Sequence, residues 1–297
     1  MFTIATGGYV PFVLNLHASL ARIGLGDQLV VYSLDDRAHR VLSRAGVRSV
    51  RYGTGPGRQW TNWRTLGFMR TMSYKYSAAL DILRSGKKAL YVDSDIVFLR
   101  DPANYLQSVM ATSEADLVLQ FQSPKNLYSA GFWLASPTEP VIELLLSIWT
   151  ALQSKQYTDD EDTLNWRLRQ TDGVATYALD SDLFACGNRF LVSEEKRKSY
   201  TDSGGRPFNV NAAYILHFNY VIGKEAKVRA MMKHNAVFYA GLEKHCRTGM
   251  GAVLSREVRR FARRVGTVQQ SLSGRPMAEW PGVVFELLLE RKARLNR

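Results

Sequence analysis

The chain has 297 residues, 46% hydrophobic and 22% charged, which suits one large α/β domain or two small ones and excludes a disordered chain. Its net charge is +12, and its two cysteines, Cys186 and Cys246, are too few for a disulfide framework or a thiolate metal site. Phe2-Thr3-Ile4-Ala5-Thr6 runs into Gly7-Gly8 without a charged start or a long apolar core, so no secretory leader is expected. The longest apolar stretch, 141–152, is interrupted by Glu143 and Ser147 and is too short to span a bilayer. With no N-x-S/T acceptor in the chain, a cytoplasmic setting is expected.

The predicted elements begin with a strand over 2–6, a helix over 11–23 with Pro11 in its first turn, a strand over 28–34, a helix over 36–45 and a strand over 47–52. A loop rich in Gly, Trp and Pro follows over 53–63, then a long helix over 65–83 that closes at Ser85-Gly86. Next comes the apolar run Ala89-Leu90-Tyr91-Val92, ending in Asp93-Ser94-Asp95. This order implies a doubly wound, mostly parallel α/β sheet with helices on both faces. Beyond it, strands are expected over 116–121, 130–135, 174–179 and 213–217, and helices over 140–152, 160–169 and 224–233.

Asp93 and Asp95 hold the most informative position. Two carboxylates two residues apart on extended backbone point to the same side, and ligands of doubly wound sheets bind at the carboxyl ends of strands. Paired oxygens there suit a hard divalent cation such as Mn2+ or Mg2+ that keeps open positions for phosphates. Thr6, Gly7 and Gly8 follow the first strand, where backbone can approach a nucleotide closely. Trp60, Trp63 and Tyr91 offer stacking surfaces, although aromatic residues near a sheet more often belong to its core. His217 alone reads more readily as a core histidine at the end of an apolar strand than as a ligand.

The run Lys75…Leu80-Asp81-Ile82-Leu83…Gly86…Leu90-Tyr91-Val92-Asp93-Ser94-Asp95-Ile96-Val97-Phe98-Leu99-Arg100-Asp101-Pro102 resembles the core of GT-A-fold nucleotide-sugar transferases. Three later segments recur in that family's order. Ser129-Ala130-Gly131-Phe132 is similar to its Asn-Ser/Ala-Gly turn, Asp160-Glu161-Asp162-Thr163-Leu164-Asn165 to its Asp-Gln-Asp helix start, and His217-Phe218-Asn219-Tyr220…Gly223-Lys224…Lys227 to its C-terminal His…Gly…Lys signature. The nearest likeness is to the nucleotide-diphospho-sugar transferases related to plant rhamnogalacturonan xylosyltransferases, with glycogenin-like retaining enzymes more distant. It covers about residues 1 to 235.

The resemblance implies a metal-dependent, retaining glycosyltransferase acting on a nucleotide diphosphate sugar, with UDP as carrier and a glycan, protein or small-molecule hydroxyl as acceptor. It implies Asp93, Asp95 and His217 as ligands of Mn2+ or Mg2+. The donor would meet Thr6, Gly7, Lys75, Asp93, Ser94, Ser129, Gly131, Gly223, Lys224 and Lys227, and Asp160 and Glu161 would lie at the catalytic position. Lys224 and Lys227 read either as cations for the diphosphate, aided by a helix N-terminus, or as a solvated helix face. Two residues depart from the family pattern: Ser129 stands where Asn is usual, and Glu161 where Gln is usual. Glu161 thus either serves the anomeric centre as a carboxylate or caps its own helix start.

Two rivals remain at this level. A sugar-1-phosphate nucleotidyltransferase would share the sheet and a metal, but Thr6-Gly7-Gly8-Tyr9-Val10 lacks the cations that hold a triphosphate. A silent sugar-nucleotide-binding module would have no use for the full set Asp93, Asp95 and His217. The chain divides most simply into a catalytic domain over 1–245 and a basic helical tail over 246–297. Residues 247–297 carry eleven Lys/Arg against four Asp/Glu. Leu254, Val258, Phe261 and Val265 form an apolar stripe there, flanked by arginines. The tail suits either peripheral contact with an anionic membrane surface or docking on the main domain. No nucleic-acid motif accompanies its charge, and no nucleic acid is expected as a partner.

Overall fold

The structure, a computed structural model, describes residues 1–53, 65–122, 127–154, 159–191 and 208–242. The expected tail, Cys246, Trp60 and Trp63 lie outside the described residues. The first half alternates as expected: β1 (Phe2–Ala5), α1 (Val10–Arg22), β2 (Val30–Ser33), α2 (Asp36–Arg44), β3 (Arg48–Arg51), α3 (Leu66–Arg84) and β4 (Ala89–Val92). Local chemistry sets these boundaries. The Asp35 side chain accepts the Ala38 N–H and starts α2, and the Thr65 hydroxyl does the same for α3 through Phe68. Gly86, at φ +77°, takes the left-handed step that ends α3.

A seven-stranded sheet runs β3-β2-β1-β4-β7-β6-β8, adding β6 (Leu117–Gln122), β7 (Leu127–Ala135) and β8 (Thr176–Leu179). β7 runs antiparallel to both of its neighbours, while the other adjacent pairs are parallel. Alternating residues feed two cores. Phe2, Tyr91, Leu119 and Trp133 pack against α3, α5 (Glu139–Gln153) and α6 (Asp160–Leu168), and Val92, Val118 and Phe132 pack on the side of α1, α2 and α4 (Ala103–Thr112). Each such apolar side chain, fully buried, contributes roughly 1.5–3 kcal/mol.

The sequence did not reveal a second, three-stranded sheet, ordered β5-β10-β9 and built from β5 (Ile96–Phe98), β9 (Phe184–Cys186) and β10 (Ile215–His217). β10 pairs antiparallel with β5, setting His217 opposite Ile96, and parallel with β9, setting His217 beside Cys186. Two short helices complete the order, α7 (Gly187–Phe190) and α8 (Lys224–Lys233). No helix among the described residues is long and apolar enough to cross a membrane. The two sheets meet where β4 passes into β5, and the candidate site is built at that junction.

Candidate metal and donor site

β4 ends at Val92, and Asp93-Ser94-Asp95 forms a turn rather than extended strand, closed by the Ile96 N–H donating to the Asp93 carbonyl at 3.2 Å. The expectation that strand alternation aligns the two carboxylates is therefore corrected: they converge because the chain folds back between two sheets. The turn is pinned from both sides. Asp93 N–H donates to the Gly131 carbonyl at 2.7 Å, and the Asp95 carbonyl accepts the Phe218 N–H at 3.1 Å.

β10 delivers His217 to the same point. Its Nε2 lies 3.6 Å from Asp93 Oδ2 and 3.4 Å from Asp95 Oδ1, and one ligand atom from each of the three residues falls within 4.8 Å of the others. Nδ1 lies 2.8 Å from Gln120 Oε1. Nε2 has no hydrogen-bond partner, although His217 is only 2% exposed. A buried, orphaned ring nitrogen facing two carboxylates is the donor set of a divalent cation with oxygen and imidazole ligands. The residues present fit such an ion.

The electrostatics agree with a site built to hold positive charge. Burial opposes ionisation of Asp95, yet the Lys227 and His217 charges hold its carboxyl well below the usual range. Burial likewise opposes ionisation of Asp93, and the nearby Lys75 and His217 charges overcome it. Burial also works against charging His217, but Asp95 and Asp93 raise it well above its ordinary value. The Lys227 ammonium contacts Asp95 Oδ2 directly, and its side chain is 14% exposed, so the solvated-face reading of this lysine does not hold. Lys224 is half-buried in the same first turn, which Gly223 opens at φ +93°.

Gly131 forms the wall of the site. A Cβ there would stand 2.3 Å from His217 Cε1 and 2.5 Å from Asp93 Oδ2, so no side chain fits. The β6–β7 register shifts between Leu119 and Phe121, and this irregularity lets β7 carry Gly131 past the turn. Ser129, on the same strand, is fully buried, and its Oγ accepts the Gly131 N–H at 3.2 Å. It supports the wall through this bond.

Lys75 is buried and paired. It is 1% exposed, its ammonium pairs with Asp160 and donates to the Ala130 carbonyl at 2.9 Å, and it lies 4.9 Å over the Tyr91 ring. Lys75 and Asp160 thus form a buried ion pair beside Asp93. The buried ammonium acts on the site through its field at Asp93. Tyr91 is a core residue, as aromatic residues near a sheet more often are, and its hydroxyl donates to Asp93 Oδ1 at 2.6 Å.

Glu161 does not cap its helix. Asp159 does, accepting the Asp162 N–H at 2.7 Å. Glu161 is half-buried and accepts from Gln122 Nε2 at 2.6 Å, while burial and the neighbouring Asp160 push its carboxyl up to about 7. Tyr220, at φ +62° after β10, donates its hydroxyl to Gln122 Oε1, so a directed chain runs Tyr220–Gln122–Glu161. Asn165 ties α6 to β7 through both Tyr128 backbone groups, at 2.8 Å each. At the far end of the same sheet edge, Thr6 is buried and Gly7 N–H donates to Asp35 Oδ2 at 2.7 Å. Ser94 lies half-buried in the central turn.

Gln120, Gln122, Tyr220 and Asp35 escaped the sequence reading. A signal existed for the glutamines: in Leu117-Val118-Leu119-Gln120-Phe121-Gln122 they interrupt a buried apolar strand, and both are fully buried. Fully buried amides carry hydrogen-bonding obligations that an apolar strand cannot meet by itself.

The chain matches the nucleotide-diphospho-sugar transferase family over residues 24–231. It is 24% identical over 254 residues to a UDP-D-xylose:L-fucose alpha-1,3-D-xylosyltransferase of Arabidopsis thaliana, covering 76% of this chain and 66% of the plant protein. Among solved structures, glycosyltransferase GlyE of Streptococcus pneumoniae TIGR4 superposes with a TM-score of 0.51 at 13% identity, over 92% of this chain and 63% of GlyE. The bifunctional glycosyltransferase WbbM superposes with a TM-score of 0.51 at 11% identity, over 77% of this chain and 49% of WbbM. The chain thus spans just under two thirds of the length of the plant relative and of GlyE. At these identities the structural likeness establishes the shared fold, the GT-A architecture.

Proposed function

We propose that this chain, which belongs to the nucleotide-diphospho-sugar transferase family, moves a sugar from UDP to an acceptor hydroxyl with retention of configuration and with the help of a divalent cation. The observation that carries this reading is the convergence of Asp93, Asp95 and the unpartnered Nε2 of His217 at the C-terminal end of β4. Those three residues would hold Mn2+ or Mg2+. The bound ion supplies positive charge where the diphosphate leaving group gains negative charge.

The chain's own residues supply the rest. Lys227 and Lys224, in the first turn of α8, meet the phosphates, with Lys227 leaving Asp95 as it does so. The backbone after β1, held by Asp35, borders the nucleotide. Glu161 faces the anomeric centre, and Gln122 aims its carboxylate. Front-face attack and double displacement through Glu161 both return the starting anomer. Incubation with Mn2+ and a panel of sugar nucleotides, followed by NMR, tests the reading. Released UDP and a product of unchanged anomeric configuration support it, and an inverted product contradicts retention.

Lys227 and a cation compete for Asp95 Oδ2, and this separates two effects of one substitution. Lys227→Ala is expected to tighten Mn2+ binding to the nucleotide-free protein while slowing transfer, because the phosphates lose a partner. Electron paramagnetic resonance of free Mn2+ alongside steady-state rates checks both. Weaker Mn2+ binding would show that the lysine does not compete.

A carboxyl raised to about 7 is largely neutral below that pH and charged above it. If the charged form serves the anomeric centre, kcat rises across about one unit on either side of pH 7, and Glu161→Gln abolishes that rise. The size of the loss identifies the route: within about tenfold for front-face attack, about 10^3-fold or more for a covalent intermediate. A pH profile identical in the two proteins would remove Glu161 from the chemistry.

A further inference from the structure

One buried side chain beside the metal-ligand group has a hydrogen-bonding pattern that dictates the state of a ligand. Gln120, fully buried on β6, donates from Nε2 to the Phe184 carbonyl of β9 at 3.1 Å. A carbonyl can only accept, so the amide cannot be flipped, and Oε1 must face the other way. There it lies 2.8 Å from His217 Nδ1. An amide oxygen can only accept, so Nδ1 must carry a proton. In a metal-bound imidazole, the remaining nitrogen must then offer its lone pair, and that nitrogen is Nε2, the atom facing Asp93 and Asp95.

We propose that Gln120 is a positioning residue that locks His217 in the Nδ1–H tautomer and fixes its ring plane, so that Nε2 alone serves the cation. The inference rests on the cation reading of the site. The structure gives Gln120 three properties this role requires. It belongs to the main sheet while both of its partners belong to the second, so it ties the ligand to the two bodies that meet at the site. It is fully buried, so no water substitutes for it. Its two contacts are directional, and reversing either one would break the other. Ligand-orienting partners of this kind are commonly worth 10–100-fold in metal affinity.

The role differs from that of a packing strut, and two variants separate them. Gln120→Met keeps the length and bulk but neither accepts from Nδ1 nor donates to Phe184. Gln120→Glu retains an oxygen that accepts from Nδ1. Measured by free Mn2+ resonance, Gln120→Met is expected to lose about 10–100-fold in Mn2+ affinity, with Gln120→Glu remaining within about threefold of wild type. Wild-type affinity in Gln120→Met, or equal losses in both variants, would overturn the proposal.

A measurement on the unaltered protein decides the matter if Gln120→Met fails to fold. With 15N-histidine labelling and saturating Mg2+, long-range proton–nitrogen correlation should show His217 Nδ1 protonated and Nε2 shifted by the metal. A proton-free Nδ1 would overturn the assignment. A wild-type protein that binds neither Mn2+ nor Mg2+ would defeat the cation reading itself. Cation binding without the Gln120 dependence would defeat only the inference.

Discussion

Asp95→Ala is expected to reduce sugar transfer by about 10^3-fold or more, the rate equivalent of about 4 kcal/mol of lost charge stabilisation. The carboxylate is 8% exposed and is approached by the His217 ring nitrogen and the Lys227 ammonium, so its removal takes away a cation ligand and strands two positive groups. Some stability is lost as well, because a buried charge without its partner is costly. Asp95→Asn keeps the volume but replaces one of the two carboxylate oxygens with an NH2 donor, so it loses the charge and one of these two contacts, and should still fold while remaining nearly as inactive. Steady-state rates paired with a thermal melt separate the effects. A folded Asp95→Asn protein with wild-type kcat would show that the charge at this turn does not serve the reaction.

The second large effect is expected from Gly131→Ala, the addition of one methyl group. That methyl would meet His217 Cε1 at 2.3 Å and Asp93 Oδ2 at 2.5 Å, both well inside contact distance. The strand cannot retreat easily, because Val92 pairs with Phe132 and the Gly131 carbonyl holds the Asp93 N–H. Relief must come from His217 or Asp93 turning away, at a cost of roughly 1–3 kcal/mol in overpacking. The expected outcome is a melting temperature lowered by several degrees, about 2–4 °C per kcal/mol for a domain of this size. Mn2+ affinity should fall by about tenfold or more, since at least one of the three ligands moves. Unchanged Mn2+ binding in a titration would mean that these ligands do not bind as the geometry indicates.

Much of this molecule was legible from its residues because local signals and global packing agree. Pro11, Thr65 and Gly86 mark helix ends that caps and turns enforce, and the apolar runs of β1, β2 and β4 are those of a sheet buried on both faces. The helix start at Asp160 and the span of α8 follow from the same kind of signal. The second sheet was not legible, since β5, β9 and β10 are three residues each and pair between distant parts of the chain, Phe98 with Ile215 and Ile215 with Phe184. Their hydrophobicity reads as generic core. The same omission misassigned Asp93-Ser94-Asp95 to extended backbone, because the turn exists only to join one sheet to the other.

The site divides in the same way. Asp93, Asp95 and His217 come together as the resemblance implied, although they are brought by separate elements. The partners of Lys75 were not legible in the sequence. A lysine in the middle of a helix is ordinarily solvated or reaches for an anion in the cleft, and only the fold reveals Asp160 and the Ala130 carbonyl waiting beneath it. Gln120 and Gln122 were visible as polar interruptions in an apolar strand, but their partners lie on β9, β10 and α6, too far along the chain for spacing to suggest.

The most direct test of the proposed chemistry is the dependence of donor cleavage on a divalent cation held at this turn. Protein stripped with EDTA and dialysed should release no UDP from a UDP-sugar, and added Mn2+ should restore release in proportion to the fraction of sites bound by resonance. Asp95→Asn protein, treated identically, should remain silent at every Mn2+ concentration that saturates the wild type. Undiminished UDP release in excess EDTA, or full restoration in Asp95→Asn, would contradict the assignment of Asp93, Asp95 and His217 as the cation site of a sugar-nucleotide transferase.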